Sequence, residues 1–104
     1  MKIQVNTDKN IGGDERLAEY VEDTLRGELD RFADQITRVE VHLSDENAHK
    51  SGQDDKRCML EARVAGRKPT AVTHHAGTVA EAVGGAAEKL ARALDRELAK
   101  LDAR

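Results

Sequence analysis

A chain of 104 residues with 36% charged and 2% aromatic side chains can bury one modest core, built from Leu, Val, Ile and Ala. Its formal net charge of −3 excludes a protein that coats nucleic acid through global positive charge, so any such contact must come from a local patch. A lone cysteine, Cys58, excludes a disulfide framework and a cysteine-based zinc site.

The start, Met1-Lys2-Ile3-Gln4-Val5, lacks the apolar run of a signal peptide, and no window approaches a membrane span. The expectation is a cytoplasmic protein with no membrane partner. Residues 2–6 alternate, with Ile3 and Val5 on one face, and read as a first strand. Residues 8–13 are turn chemistry, and Gly12-Gly13 leads to Asp14 as a helix N-cap. Leu17, Tyr20, Val21, Leu25 or Thr24, Leu29 and Phe32 then mark an amphipathic helix expected to reach about Asp34. Its outer face is acidic: residues 15–35 carry seven acids against Arg16, Arg26 and Arg31.

A second strand starts at Ile36. Val39, Val41 and Leu43 face one way, and Arg38, Glu40, His42 and Ser44 the other. Residues 45–55 hold no periodic apolar residue and are expected to form a polar connection, the least ordered internal segment. The third strand alternates likewise, with Cys58, Leu60, Ala62 and Val64 inward and Arg57, Met59, Glu61 and Arg63 outward. Residues 65–69 make a turn, and residues 70–75 supply a fourth strand.

The last helix opens with Thr78-Val79-Ala80-Glu81, a capping box in which hydroxyl and carboxylate satisfy exposed backbone N–H groups. Val79, Val83, Ala86, Leu90, Leu94 or Ala93, Leu98 and Leu101 continue at helical period to about Asp102. Gly84-Gly85 inside it costs roughly 2 kcal/mol against alanine and points to close approach of a neighbouring helix or the sheet.

The element order is β-α-β-β-β-α. A strand–helix–strand start makes the first two strands parallel, and hairpins then add two antiparallel neighbours. Alternation in the middle strands means a sheet buried on one face. The expected fold is an α+β two-layer sandwich, a four-stranded mixed sheet with both helices on one face, forming one domain over residues 1–104.

Catalytic and metal sites find little support. His74 and His75 are adjacent on a strand and point to opposite faces, so they do not share an ion, and His42 and His49 add no ligand pair. Cys58 alternates onto the buried face and reads as a small hydrophobe. Asp54-Asp55 beside Asp45 and Glu46 lacks calcium-loop spacing and reads as a solvated loop. With no phosphate loop, nucleophile–base pair or carboxylate dyad, no enzyme, cofactor or small-molecule substrate is expected.

One pattern stands out on the last helix. Arg92, Arg96, Lys100 and Arg104 stand four residues apart, with Lys89 on the same flank, while Glu81, Glu88, Asp95 and Asp102 keep a separate line. Like charges at this spacing repel by about 0.2–0.5 kcal/mol per pair, so the segregation suggests a basic edge for a negative partner. Pairing of Glu88 with Arg92 and of Glu97 with Lys100 would instead make it an ordinary solvated face.

On this helix Glu88-Lys89-Leu90-Ala91-Arg92-Ala93-Leu94 closely resembles the D/E-K-L-x-R-x-L signature of the ribosome hibernation-promoting factors, the HPF/RaiA group, also called sigma-54 modulation proteins. Residues 78–83 are similar to that family's D-x-Y-x-A-I helix start, and residues 32–41 to its F-x-x-x-I-x-x-V-x-V passage. The resemblance implies a β-α-β-β-β-α domain that binds the small ribosomal subunit near the decoding centre, keeping idle ribosomes out of translation. It implies that Lys89, Arg92 and Arg96, with Lys100 continuing the column, contact rRNA phosphates. The first helix departs from the family, being acidic where members carry Lys or Arg. The chain resembles the short forms, without the C-terminal dimerisation domain of the long ones. A second reading is a protein-interaction module of the same fold, using the acidic first helix to bind a basic protein.

Overall fold

The computed structural model describes residues 1–46 and 55–102, with side chains described as far as Lys100. Six principal elements follow in the order β1 (Lys2–Thr7), α1 (Glu15–Glu28), β2 (Ile36–Asp45), β3 (Lys56–Val64), β4 (Thr70–Ala76) and α2 (Val79–Asp102). The strands form one sheet in the order β1-β2-β3-β4. β1 lies parallel to β2, with Ile3 beside Val39 and Val5 beside Val41, and the β2–β3 and β3–β4 pairs are antiparallel. This is the expected α+β architecture.

The strand alternation sets the layers. Val39, Val41 and Leu43 of β2 and Cys58, Leu60 and Ala62 of β3 are buried, and they join Val21, Leu25 and Leu29 from α1 and Val83, Leu90 and Leu94 from α2 in one core. Because both helices reach the same core, they cover the same face. The 45–55 expectation falls mostly outside the described residues, but its two ends are ordered. Asp45 sits opposite Lys56 in the β2–β3 ladder, and the Glu46 N–H donates to the Asp55 carbonyl at 2.9 Å.

Three local expectations change. α1 ends at Glu28 rather than Asp34, and a 3-10 turn over Asp30–Phe32 follows. Leu29 leaves helical geometry (φ −106°, ψ 11°), and the tighter turn drops Phe32 into the core. In the capping box the Glu81 N–H donates to Thr78 Oγ1 at 3.1 Å, but the Glu81 carboxylate accepts from the Thr78 hydroxyl at 2.9 Å instead of reaching back to the backbone. Asp55 is not a solvated loop residue: it is 9% exposed and, with Asp45, takes the Lys56 ammonium at 3.1 and 3.4 Å. Those contacts, the Asp55 hydrogen bond foremost, hold Lys56 above its ordinary range. The acids at this end of the sheet hold an internal cation.

The glycine pair in α2 divides into two roles. A Cβ on Gly84 would meet nothing within 4 Å, whereas one on Gly85 would run into the His74 ring, with Cγ at 2.7 Å and two further ring atoms closer still. His74 lies opposite Cys58 in the ladder, on the helix-covered face, so Gly85 is where α2 lets an imidazole lie against its backbone. His75 turns to the other face and meets Glu46 at 3.3 Å, as the adjacent-residue argument requires.

Two outcomes follow. Gly84→Ala should raise stability by up to about 1 kcal/mol through helix propensity. Gly85→Ala should lower it by about 1–3 kcal/mol through overpacking, and His74→Ala in the same chain should relieve most of that loss, as read in urea unfolding. Burial pushes the Cys58 thiol from 9.0 up to about 12, against a smaller opposing effect of Arg57. Because the folded value is the higher one, the thiol's contribution to stability is intact below pH 9 and declines as pH rises from 9 towards 12. Native labelling of Cys58 at neutral pH should therefore be slow and should accelerate to the free-thiol rate only in denaturant.

Candidate nucleic-acid interface

α2 presents three strips set by its 3.6-residue turn. Val83, Leu90 and Leu94 face the sheet and are fully buried. Asp95 lies on the flank towards α1: Arg31, just beyond α1, grips it with both guanidinium nitrogens at 2.8 and 2.7 Å. The opposite flank runs along β4. There Lys89 donates its ammonium to the Thr73 carbonyl at 2.9 Å, which fixes the strip that Lys89, Arg96 and Lys100 share.

All four basic residues expected on this helix, Lys89, Arg92, Arg96 and Lys100, are exposed. At 1.5 Å per residue they span about 17 Å of helix. Arg104 of the same column lies outside the described residues.

The pairs that would make this face an ordinary solvated one are not formed. Glu97 turns to Arg67, accepting Nη2 at 3.3 Å, while Arg67 Nη1 also reaches the Glu97 carbonyl at 3.0 Å. Glu88 makes no ion pair with Arg92, and among the described residues Arg92, Arg96 and Lys100 have no carboxylate partner. Asp95, three residues beyond Arg92, is occupied by Arg31. On the uncovered face of the sheet the arginines are paired with acids, Arg38 with Glu40, Arg63 with Glu61 and Arg57 with Glu46. Of the acids near the α2 column, Asp95 and Glu97 are held by arginines of other elements, and Glu88 is exposed without an ion pair to the column.

The first helix does not extend this row. Arg31 is engaged by Asp95 and stacks on the Phe32 ring at 4.5 Å, and Arg26 donates to the Met1 carbonyl at 3.2 Å. Lys68 is an addition. It is exposed and follows Arg67 in the β3–β4 turn, the turn that Arg67 ties to the C-terminal half of α2. The sequence signal was the basic pair Arg67-Lys68 beside Gly66, whose φ of 75° suits only a residue without a side chain. Among the described residues no group of three or more His, Cys, Asp or Glu could hold a metal ion, and no helix is long and apolar enough to cross a membrane.

With this geometry in place, comparison with known proteins decides the family. The family model described as sigma 54 modulation protein / S30EA ribosomal protein matches residues 4–102. The chain belongs to this family. Among solved structures it is similar to the Protein Y N-terminal domain of Thermus thermophilus, with a TM-score of 0.72 and 22% identity over 92% of this chain and 98% of that one. It is similar also to a ribosomal subunit interface protein from Coxiella burnetii, with a TM-score of 0.73 and 18% identity over 95% of this chain and 99% of that one. At such identities these likenesses establish the shared fold. No curated protein sequence matches the chain.

The Arg31–Asp95 pair is bidentate but exposed, at 59% and 47%. Asp95→Ala should therefore cost less than about 1 kcal/mol of stability in thermal unfolding. It should also strengthen binding of a polyanion such as heparin, because it removes a negative charge from the helix that carries the column.

Proposed function

We propose that this S30EA-family chain is a non-enzymatic, cytoplasmic single domain that binds the small ribosomal subunit near the decoding centre and holds the ribosome out of translation. In this reading Lys89, Arg92, Arg96 and Lys100 meet rRNA phosphates, and Lys68 widens the patch. The observation that carries it is the α2 column, exposed and unmatched by any described carboxylate in a chain that is acidic overall. Family membership, and likeness in fold to a ribosomal subunit interface protein, support the ribosome as the polyanion.

The chemistry is electrostatic. A cation that neutralises a phosphate releases condensed counterions, so affinity falls with salt in proportion to the contacts made. Lys89 differs from its neighbours because its ammonium is already placed by the Thr73 carbonyl, which lowers the ordering needed on binding. Arg92 and Arg96 carry planar forks suited to two-pronged phosphate contact.

Reversing both, Arg92→Glu with Arg96→Glu, should abolish cosedimentation with ribosomes at near-physiological salt. The fold should survive, because both side chains are exposed and neither makes an ion pair among the described residues. Single neutralisations, Arg92→Gln or Arg96→Gln, should each reduce the slope of log affinity against log salt by about one unit. Unchanged cosedimentation of the double reversal would refute the rRNA assignment.

A further inference from the structure

The sheet has two free edges, and they differ. At β4 the Thr73 carbonyl is taken by Lys89. Long side chains placed this way blunt an edge against further strand pairing. At β1 the Asp8 N–H, just beyond the strand, donates inward to the Leu43 carbonyl at 3.0 Å. In a parallel ladder the two backbone groups of a residue turn to one side, and successive residues alternate. Ile3, Val5 and Thr7 therefore present their N–H and C=O groups to the open side of β1. Met1 shares that phase, and its carbonyl is occupied by Arg26. Among the described residues nothing partners the outward groups of the other three.

Beside this edge lies a cavity of about 180 Å³ between β1 and the start of α1, lined by Val5, Thr7, Gly13, Asp14, Leu17 and Ala18. It is too small for a drug-sized ligand and suits a single aliphatic side chain. The α1 flank above it is set by Arg26, which reaches back to Met1. At helical spacing Glu15, Ala18, Glu19 and Glu22 share that flank. None of the three glutamates has an ion-pair partner among the described residues, since Arg26, one turn beyond Glu22, is spent on Met1.

We propose that the β1 edge is a docking groove for an extended, basic segment of another protein, which adds to the sheet as a fifth strand. Backbone groups of Ile3, Val5 and Thr7 hold its main chain, one branched aliphatic side chain fills the cavity, and flanking Lys or Arg side chains meet Glu15, Glu19 and Glu22. Strand addition of this kind takes affinity from the backbone and selectivity from alternate side chains. The acidic flank selects the occupant. Pairing β1 with β1 of a second copy would bring two sets of glutamates together, and a nucleic acid would be repelled. The groove is independent of the rRNA reading and lies across the molecule from the α2 column.

The test uses the full chain and a capped peptide of alternating pattern, Lys-Thr-Val-Thr-Lys-Thr, followed by amide NMR. The expected result is saturable shifts at Ile3, Val5, Thr7, Leu17 and Ala18. Binding should weaken at least about tenfold in the Glu19→Lys, Glu22→Lys double variant. It should be lost when the peptide backbone is N-methylated at its alternate edge-facing amides, a control that leaves the protein untouched. The Arg92→Glu, Arg96→Glu variant should bind the peptide as the unaltered chain does, whatever it does to ribosomes. Equal binding of the N-methylated peptide, shifts confined to the glutamates, concentration-dependent shifts at β1 without peptide, or no shift at about 1 mM peptide would each overturn the proposal.

Discussion

The seating of α2 on β3 and β4 is the constraint from which the surface chemistry follows. Ala82, Ala86 and Ala87 are buried, and Gly85 lets the His74 ring lie against the helix backbone. A helix that close to a sheet has little rotational freedom, because Leu90 and Leu94 are then committed to the core. Its rotation decides which charged residues overlook β4 and which overlook α1. A larger residue at position 85 would thus disturb more than local packing. It would turn or lift the strip that carries Lys89, Arg92 and Arg96.

Charge segregation on α2 would mean little if the acids could swing across to the bases. Two contacts from other elements restrain Asp95 and Glu97. Arg31 holds Asp95 on the α1 side, and Arg67 holds Glu97 at the β3–β4 turn. Exposed pairs of this kind contribute little to stability, about 0–1 kcal/mol. Their consequence lies in direction: each takes a carboxylate that would otherwise lie within a turn of Arg92, Arg96 or Lys100. A column of like charge loses a few tenths of a kcal/mol per pair, a small cost for a helix anchored by the fully buried Val83, Leu90 and Leu94.

Much of the fold was legible because burial on one face writes a period of two into strands and a period near 3.6 into helices. Cys58, Leu60 and Ala62 fell where alternation put them, and Asp14 caps α1 through its carboxylate to the Leu17 N–H at 2.9 Å. The interruption after Glu28 was not legible, since Leu29 and Phe32 keep helical spacing while the backbone tightens between them. Nor was the burial of Asp55, whose desolvation is offset by a lysine that register alone brings near. For the candidate interface, the sequence showed the basic column and equally an intrahelical pairing that would have quenched it. For Glu97 a tertiary contact decides, because Arg67 takes it from 30 residues away, and Arg31 takes the neighbouring Asp95 from 64. The β1 groove was invisible for the same reason, being a property of how a loop and a helix stand beside a strand edge.

In the proposed reading, the two flanks let a chain of net charge −3 meet a polyanion. Net charge sets long-range attraction only on average; a molecule with separated basic and acidic sides carries a dipole that orients it during approach. In that reading the β4–α2 side turns towards phosphate, and the glutamates of α1 are held away from it. The acidic helix then restricts the poses in which the domain can bind, since a rotated pose would set Glu15, Glu19 and Glu22 against phosphate. It also leaves the β1 edge facing outward from the nucleic acid, where a basic protein segment can reach it. If α2 meets phosphate as proposed, the acidic first helix acts as an orientation device, because the side chains proposed to contact phosphate are concentrated on the other helix.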